Sequence, residues 1–324
     1  SMHPGQYTVL NSPNTGVVVR AVDDLRYHNR VLERLNAGME NKIALHIGGI
    51  YNDKKQAARR FITNFIQLDD TIKQRIIVEN DDKCYNICDV LEIATTLNIP
   101  VVFDNLHNKI NSCSNHYNHE NDFFWINECK RTWQKKDGRQ KIHYSQQELL
   151  KKPGSHSNSI YIDEFMEFYK NNELYDLDIM LEVKDKDLSA IKCINCTSTE
   201  KKMEVLELEW SRYKYKILEK SPMYYEKIEK LLHNNYDYPA ISFYNLIENA
   251  LRIENTTEKS LSAALHIWRH FKDIVPDKER NDFFNTAEKY EQGRISLNAI
   301  KKVLWNMAYE YQQSHLLKSY YFLL

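Results

Sequence analysis

Residues 75–105 read RIIVENDDKCYNICDVLEIATTLNIPVVFDN. Two short apolar runs, RIIVEN (75–80) and IPVVFDN (99–105), bracket CYNICDVLEIATTLN (84–98), whose apolar residues recur at helical spacing. Strand, helix and strand in so short a span predict a βαβ unit with parallel pairing. Neither run alternates apolar with polar residues, which fits strands covered on both faces. Each ends on a carboxylate, Glu79 in the first and Asp104 in the second.

The same alternation continues on both sides. KIALHIGG (42–49), KIHYS (141–145) and YDLDIMLEV (175–183) are further strand candidates. VVRAVDDLRYHNRVLERLN (18–36), KKQAARRFITNFIQL (54–68) and IYIDEFMEFYKN (160–171) are amphipathic helix candidates. Counting the opening HPGQ as the end of a strand, about six consecutive βα units are expected before residue 195 or so, in an α/β fold. From residue 201 the character changes: LELEWSRYKYKILEKSP (206–222) and KSLSAALHIWRHFKDIV (259–275) are amphipathic helices, stopped by Pro or Gly. The polar stretch TSTEKK (197–202) divides the chain into an α/β domain, 1–196, and an all-α domain, 203–324. The aromatic stripes of the second part (Tyr213, Tyr215, Trp268, Phe271) are read as core.

Composition bounds the function. A chain of 324 residues with 42% hydrophobic and 27% charged side chains is an ordinary globular one. No run approaches the apolar length of a membrane span and no signal peptide is visible, so a cytoplasmic, non-membrane protein is expected. Net charge is −1, which excludes a generic polyanion binder. A nucleic-acid site would have to be a local groove, and bound cations would help it. Six scattered cysteines argue against a disulfide framework, and the single CINC (193–196) reads as ordinary helix cysteines.

Metal-ligand residue types recur at the strand ends: His3, His46, Glu79, Asp104 with His107, His143, and Glu182, with His156 in the loop after KIHYS. In parallel β/α folds the C-terminal strand ends converge on one rim, so these residues would face one cavity. That many imidazoles and carboxylates could hold two or three divalent cations, which activate water and neutralise phosphate in an in-line displacement. Any one of these residues alone is an ordinary cap or surface group; the repetition carries the signal. His28, His116, His119 and the four histidines after residue 201 lie outside the pattern. The Gly-Gly after His46 would allow close backbone approach to a ligand.

HPGQYTVLNSP (3–13), HIGGIYNDKKQAARRF (46–61), VENDD (78–82), VFDNLH (102–107), KIHYSQQ (141–147), GSHSNSIYID (154–163) and DIMLEVKDKDLSAIK (178–192) occur in the order seen in UV damage endonucleases. The resemblance covers residues 1–195 almost continuously. That family resembles endonuclease IV, a metal-dependent TIM-barrel nuclease. The resemblance implies hydrolysis of the phosphodiester 5′ to a UV photoproduct, leaving a 3′-hydroxyl and a 5′-phosphate, with abasic sites as further substrates. It implies manganese, two or three ions, with magnesium or zinc as substitutes. It implies metal-site roles for His3, His46, Glu79, Asp104, His107, His143, His156 and Glu182. Lys141 matches a lysine carboxylated in the family and would join Glu79, Asp104, His143 and Glu182 as the catalytic set. Where the family commonly has His-His, this chain has His107-Asn108. Gln6 and Tyr7 match a pair that enters the duplex at the lesion, and Asn11 and Lys54 complete the DNA-binding positions. Lys55, Arg59 and Arg60 are further phosphate-contact candidates. The partner implied is damaged duplex DNA, met by a monomer.

The helical part resembles a YbgA-like domain of unknown function. Against a TIM barrel of eight βα units, the first segment supplies strands three to eight, so an incomplete barrel lacking two units is expected. Two other functions fit the same residues: an abasic-site endonuclease or sugar isomerase on the same rim, or an inactive fragment that binds partners through its helical domain.

Overall fold

Five strands, β1 (Ile43–His46), β2 (Ile76–Glu79), β3 (Val101–Asp104), β4 (Lys141–Tyr144) and β5 (Asp178–Leu181), pair in parallel and in chain order. In the computed structural model, residues 1–113, 121–172, 176–234 and 237–324 are described. His116 and His119 lie outside the described residues. Ahead of HPGQ the chain also joins the sheet: Met2 bridges Ile43 in parallel, as the expected strand ending at His3 would. The Pro4-Gly5 pair then turns the chain away from β1.

The helices between the strands have local causes. These are α1 (Thr15–Arg34), α2 (Lys54–Ile66), α3 (Asp70–Lys73), α4 (Ile87–Leu97), α5 (Asn105–Ile110), α6 (Asp122–Lys130), α7 (Ile162–Asn172) and α8 (Asp187–Thr197). Asn86 and Asp89 form a reciprocal capping box at the start of α4, and Asn98 ends it in the left-handed conformation at φ 54°. Pro100 then enforces the extended chain of β3. Asp53 caps α2 by accepting from the Gln56 amide.

Side-chain alternation along each strand sorts residues into layers. Ala44, Ile77 and Val102 form a buried cluster. Two residues further on, on the same face, stand His46, Glu79 and Asp104. Ala44, Ile77, Lys141, His143 and Met180 line one hollow of about 300 Å³. The sheet is therefore rolled, with this face inside. Distances agree: His3, beside β1, has its ring 5.7 Å from that of His143 on β4, whereas flat strands at about 4.8 Å spacing would put them well over 10 Å apart. The parallel sheet, its flanking helices and the separate helical region make a TIM-like barrel followed by an all-α unit.

Among the six cysteines one pair is bonded. Cys88, in the first turn of α4, bridges Cys113, just past α5, with Cα atoms 6.0 Å apart. This corrects the expectation of unpaired cysteines. The two lie 25 residues apart in sequence, and adjacency of β2 and β3 brings the segments that follow them together, which spacing along the chain does not reveal.

The chain divides into Ser1–Ile160 with Glu167–Ala190, and Tyr161–Met166 with Ile191–Leu324. The second unit contains α9 (Met203–Lys220), α10 (Pro222–Asn234), α11 (Ala240–Leu251), α12 (Thr257–Trp268), α13 (Asp277–Glu291), α14 (Leu297–Glu310) and α15 (Ser314–Leu317). Pro222 opens α10 at the position where its missing N–H costs nothing. Tyr213, Tyr215, Trp268 and Phe271 are all buried, and Trp268 stacks on Phe283 with centroids 4.5 Å apart. These aromatics are core. The fully buried Glu219 is matched by Lys216 Nζ at 2.8 Å and Lys301 Nζ at 3.2 Å. Burial pushes the Cys196 thiol up to about 12, so it is protonated at neutral pH. Among the described residues no helix is long and apolar enough to cross a membrane.

Closing a loop of this length by a disulfide stabilises a fold by about 3 kcal/mol. Cys88→Ser is expected to reduce the unfolding free energy by that order, read as a lower denaturation midpoint. Dithiothreitol should lower the midpoint of the unsubstituted chain and leave that of the variant unchanged.

Candidate metal centre

Register decides which residues meet on the inner face. His46 pairs with Glu79 across β1 and β2, and Asp104 with His143 across β3 and β4. Glu79 pairs with Val102, so Asp104 stands two residues higher, and Glu182 stands two above Met180, which pairs with His143. The stagger lets residues from different strands reach one centre instead of forming a flat ring.

Glu79 is that centre. Its carboxylate is fully buried and four imidazoles surround it. His3 Nε2 lies 3.0 Å from Oε2, His46 Nε2 4.0 Å from Oε2, His107 Nδ1 3.5 Å from Oε1, and His143 Nδ1 3.0 Å from Oε1. His143 Nδ1 is also 3.0 Å from Glu182 Oε1. Two overlapping groups result, His3–Glu79–His143–Glu182 and His46–Glu79–His107, with the ligand atoms of each within 4.8 Å of one another. Glu79 belongs to both.

Electrostatics follow from this crowding. Burial works against the ionised form of Glu79, yet the charges of His143 and His46 and the contacts from His143 and His3 hold its carboxyl well below the usual range. Burial likewise works against protonated His143, and the Glu79 and Glu182 carboxylates override it and raise its pKa well above the ordinary value. His3 and His107 are raised by the same competition, through Glu79 for the first and through Asp104 and Glu79 for the second. Burial, with Glu79 and Glu182 nearby, pushes the Asp104 carboxyl up to about 7 against the pull of His107.

The donor set fits divalent cations. Glu79 Oε1, His143 Nδ1 and His46 Nδ1 are buried without hydrogen-bond partners, although the first two lie 3.0 Å apart. Buried polar atoms left in this way are costly, and a cation between them would satisfy the first two at once. Mixed imidazole and carboxylate ligands suit manganese, zinc or iron. His3 Nδ1 bonds the Pro4 carbonyl at 3.0 Å and His107 Nδ1 the Asn80 carbonyl at 2.9 Å. These bonds leave Nε2 of each ring as the nitrogen that would face a cation; without one, His3 Nε2 donates to Glu79 Oε2 at 3.0 Å.

The remaining expected residues are placed less uniformly. Asp104 stands beside the two groups but in neither: its carboxylate caps α5, accepting from the His107 amide at 2.7 Å. His156 Nδ1 lies 3.7 Å from Glu182 Oε2 and its ring 6.3 Å from that of His107, at the edge of the cluster. Lys141 shares its strand face with His143 but sits one layer lower, where its Nζ pairs with Asp178 Oδ2 at 2.6 Å. It is not joined to the histidines.

A cleft of about 960 Å³ opens beside the cluster and reaches His46 and His107. Gln6 and Tyr7 line it, and Tyr7 is 81% exposed. Arg20, Tyr51, Asp82, Lys83 and Cys84 complete its walls, and the sequence reading did not name any of them as site residues. Asn11 is buried behind the cleft, where its Nδ2 holds the Gly49 carbonyl at 2.7 Å. Gly48, at φ +111°, must be glycine because an added Cβ would come 2.3 Å from Asn11 Oδ1. Gly48 thus allows close approach to the Asn11 side chain, and it lines the cleft together with Gly49. Lys54 is engaged by Asp89 at 2.5 Å, and Arg60 Nε donates to the Asn11 carbonyl at 2.8 Å. Lys55 and Arg59 are exposed.

Comparison with known proteins places this geometry. The model of the UV-endonuclease UvdE family matches residues 1–213, and that of a protein of unknown function, DUF1722, matches residues 214–324. A UV DNA damage endonuclease of Clostridium perfringens is 39% identical over 311 residues, 93% of this chain and 73% of that protein. One from Bacillus cereus is 31% identical over 198 residues, 60% of this chain and 61% of that protein. The crystal structure of SacUVDE superposes with a TM-score of 0.54 at 40% identity, covering 60% of this chain and 63% of that one. The chain thus spans about three fifths of the Bacillus relative and of SacUVDE.

Protons and cations compete for the same nitrogens. Without cations, protonated His143 contributes stability that is fully present below its unfolded-state value of about 6.5 and is lost as pH rises through its raised folded value. Cation binding must displace those protons. Manganese titration by calorimetry in buffers of different ionisation enthalpy is expected to show proton release and an affinity that rises from about pH 6 to about pH 8. Glu79→Gln should abolish binding at both groups, whereas His46→Ala should abolish binding at one.

Proposed function

The chain belongs to the UV-endonuclease UvdE family, and from that premise we propose that it is a metal-dependent DNA repair endonuclease. Its substrate is duplex DNA carrying a UV photoproduct, and the bond hydrolysed is the phosphodiester on the 5′ side of the lesion. The products are a 3′-hydroxyl and a 5′-phosphate. Residues 1–196 carry the reaction and residues 203–324 form a separate helical domain. An enzyme of chromosomal DNA would act in the cytoplasm, as a monomer. The observation that carries this reading is the adjacency of two cation-binding groups sharing Glu79 to an open cleft edged by exposed Gln6 and Tyr7.

Two or three bound manganese ions would supply Lewis acidity at the phosphate and water activated at neutral pH. The chain's own part is positioning. His3, His143 and Glu182 on one side of Glu79, and His46 and His107 on the other, set where the phosphate must lie relative to the attacking water. His156 and Asp104 border that space. Without cations burial pushes the Asp104 carboxyl up to about 7; bound cations would pull it back toward the carboxylate. Tyr7 and Gln6 fill the gap left when the damaged bases leave the stack, a step that costs less for bases already distorted by damage. Lys83 and Arg20, on the cleft wall, are placed to meet backbone phosphates and offset the carboxylates.

The test is nicking of a duplex with one defined cyclobutane dimer, with manganese against a chelator. A single ligatable nick 5′ to the dimer is expected, removed by chelation, and reduced at least about a thousandfold by Glu79→Gln. Tyr7→Ala should weaken cleavage of dimer DNA more than metal binding. Cleavage of abasic but not dimer DNA would replace this reading with an abasic-site endonuclease. No cleavage by the cation-loaded chain would overturn it.

A further inference from the structure

Beyond the last paired residues the backbone leaves the sheet, into a loop after β2 and directly into α5 after β3, yet two side chains continue the ladder. Asn80 Nδ2 donates to the Asp104 carbonyl at 3.1 Å, and the Asp104 amide donates to Asn80 Oδ1 at 2.9 Å. One strand further on, Asn105 Nδ2 donates to the Ser145 carbonyl at 3.1 Å, and the Ser145 amide donates to Asn105 Oδ1 at 2.8 Å. Both asparagines are buried, at 0% and 1% exposure. A carboxamide carries donor and acceptor in one plane, as a peptide group does, so it can take the place of a strand's backbone against its neighbour. The identical two-bond pattern at successive strand junctions shows what each amide is for. It locks the residue after one strand to the end of the next, on the rim where the metal-ligand side chains stand.

Asn80 does more with its main chain. Its carbonyl accepts from His107 Nδ1 at 2.9 Å, which leaves Nε2 with the lone pair. One residue therefore holds the backbone of Asp104 through its side chain and the ring of His107 through its carbonyl. Asp104 in turn accepts from the His107 amide at 2.7 Å. The ring and main chain of His107 are thus both registered to the end of β2, where Glu79 is the preceding residue. Asn105 acts one junction away: Ser145, which it clamps, has its Oγ 3.4 Å from Asp104 Oδ2.

We propose that Asn80 and Asn105 are positioning residues of the cation site, which set the aim of His107 and the placement of Asp104 by carrying the parallel ladder past its strand ends through side-chain amides. This rests on reading the Glu79 cluster as a cation site. Neither residue touches the reacting atoms. Buried partners of metal-binding histidines are worth about ten- to a hundredfold in metal affinity.

The test compares the full chain with Asn80→Asp, which keeps the acceptor for the Asp104 amide and loses the donor to its carbonyl. Manganese alone is titrated by calorimetry, the imidazole tautomers are read by ¹⁵N NMR, and thermal unfolding is followed in parallel. At a midpoint close to that of the unsubstituted chain, binding at the His46–Glu79–His107 group should weaken about ten- to a hundredfold. Binding at the group containing His3, His143 and Glu182 should hold to within a few-fold. The His107 ring should change from a single Nδ1–H tautomer to a mixture. A purely structural asparagine would lower the midpoint without separating the two groups or changing the tautomer, and that result overturns the proposal. Asn105→Asp, expected to give a smaller effect of the same kind, decides the matter should Asn80→Asp fail to fold; unchanged manganese binding in it then overturns the proposal. Absence of manganese binding by the unsubstituted chain would instead refute the cation site itself, and the positioning role with it.

Discussion

A carboxylate with no access to water is costly unless its charge is met, and in this chain Glu79 is met by imidazoles from four other places in the sequence. His3 comes from the segment before β1, His46 from the end of β1, His107 from α5, and His143 from β4. The strands must roll for these to converge, and Ala44, Ile77 and Val102 form a buried cluster one layer beneath them. Rolled sheet, staggered register and Glu79 environment are therefore one constraint stated at three levels. Loss of the carboxylate would remove the charge that raises the proton affinity of these histidines and leave them crowded without a shared counter-charge.

The same constraint explains why the rim is built so rigidly. Asn80 and Asn105 tie neighbouring strand ends, Asp104 caps the helix that carries His107, and the Cys88–Cys113 bridge fastens the segments that follow β2 and β3. On the proposed reading the site must hold phosphate in line with an attacking water, which tolerates little drift. The residues proposed to contact the duplex are placed differently. Tyr7 is 81% exposed on the cleft edge, where it can move into a base stack without disturbing the floor.

Much of the barrel could be read from RIIVEN, IPVVFDN and their counterparts because buried parallel strands are written as plain apolar runs. Glu79, His46, His143 and Glu182 were visible as metal-ligand types at strand ends, since the period of two carries each to the inner face. What the sequence hides is height and depth along that face. Lys141 has the right face but sits one layer below, against Asp178. Asp104 has the right height, and one of its two oxygens also caps α5. The strand expected to end at His3 is represented by one parallel bridge, from Met2 to Ile43. The disulfide and the asparagine clamps are contacts across strand junctions, and register alone reveals them. In the helical unit, aromatics at helical spacing proved to be core, as at Trp268 and Phe283.

The most direct measurement is anomalous diffraction at the manganese edge from crystals of the chain grown with that ion. Two peaks are predicted, one on each side of the Glu79 carboxylate, the first among His3, His143 and Glu182 and the second beside His46 and His107. Manganese found only outside this cluster, with Glu79 bonded to imidazole N–H groups or water alone, would contradict it.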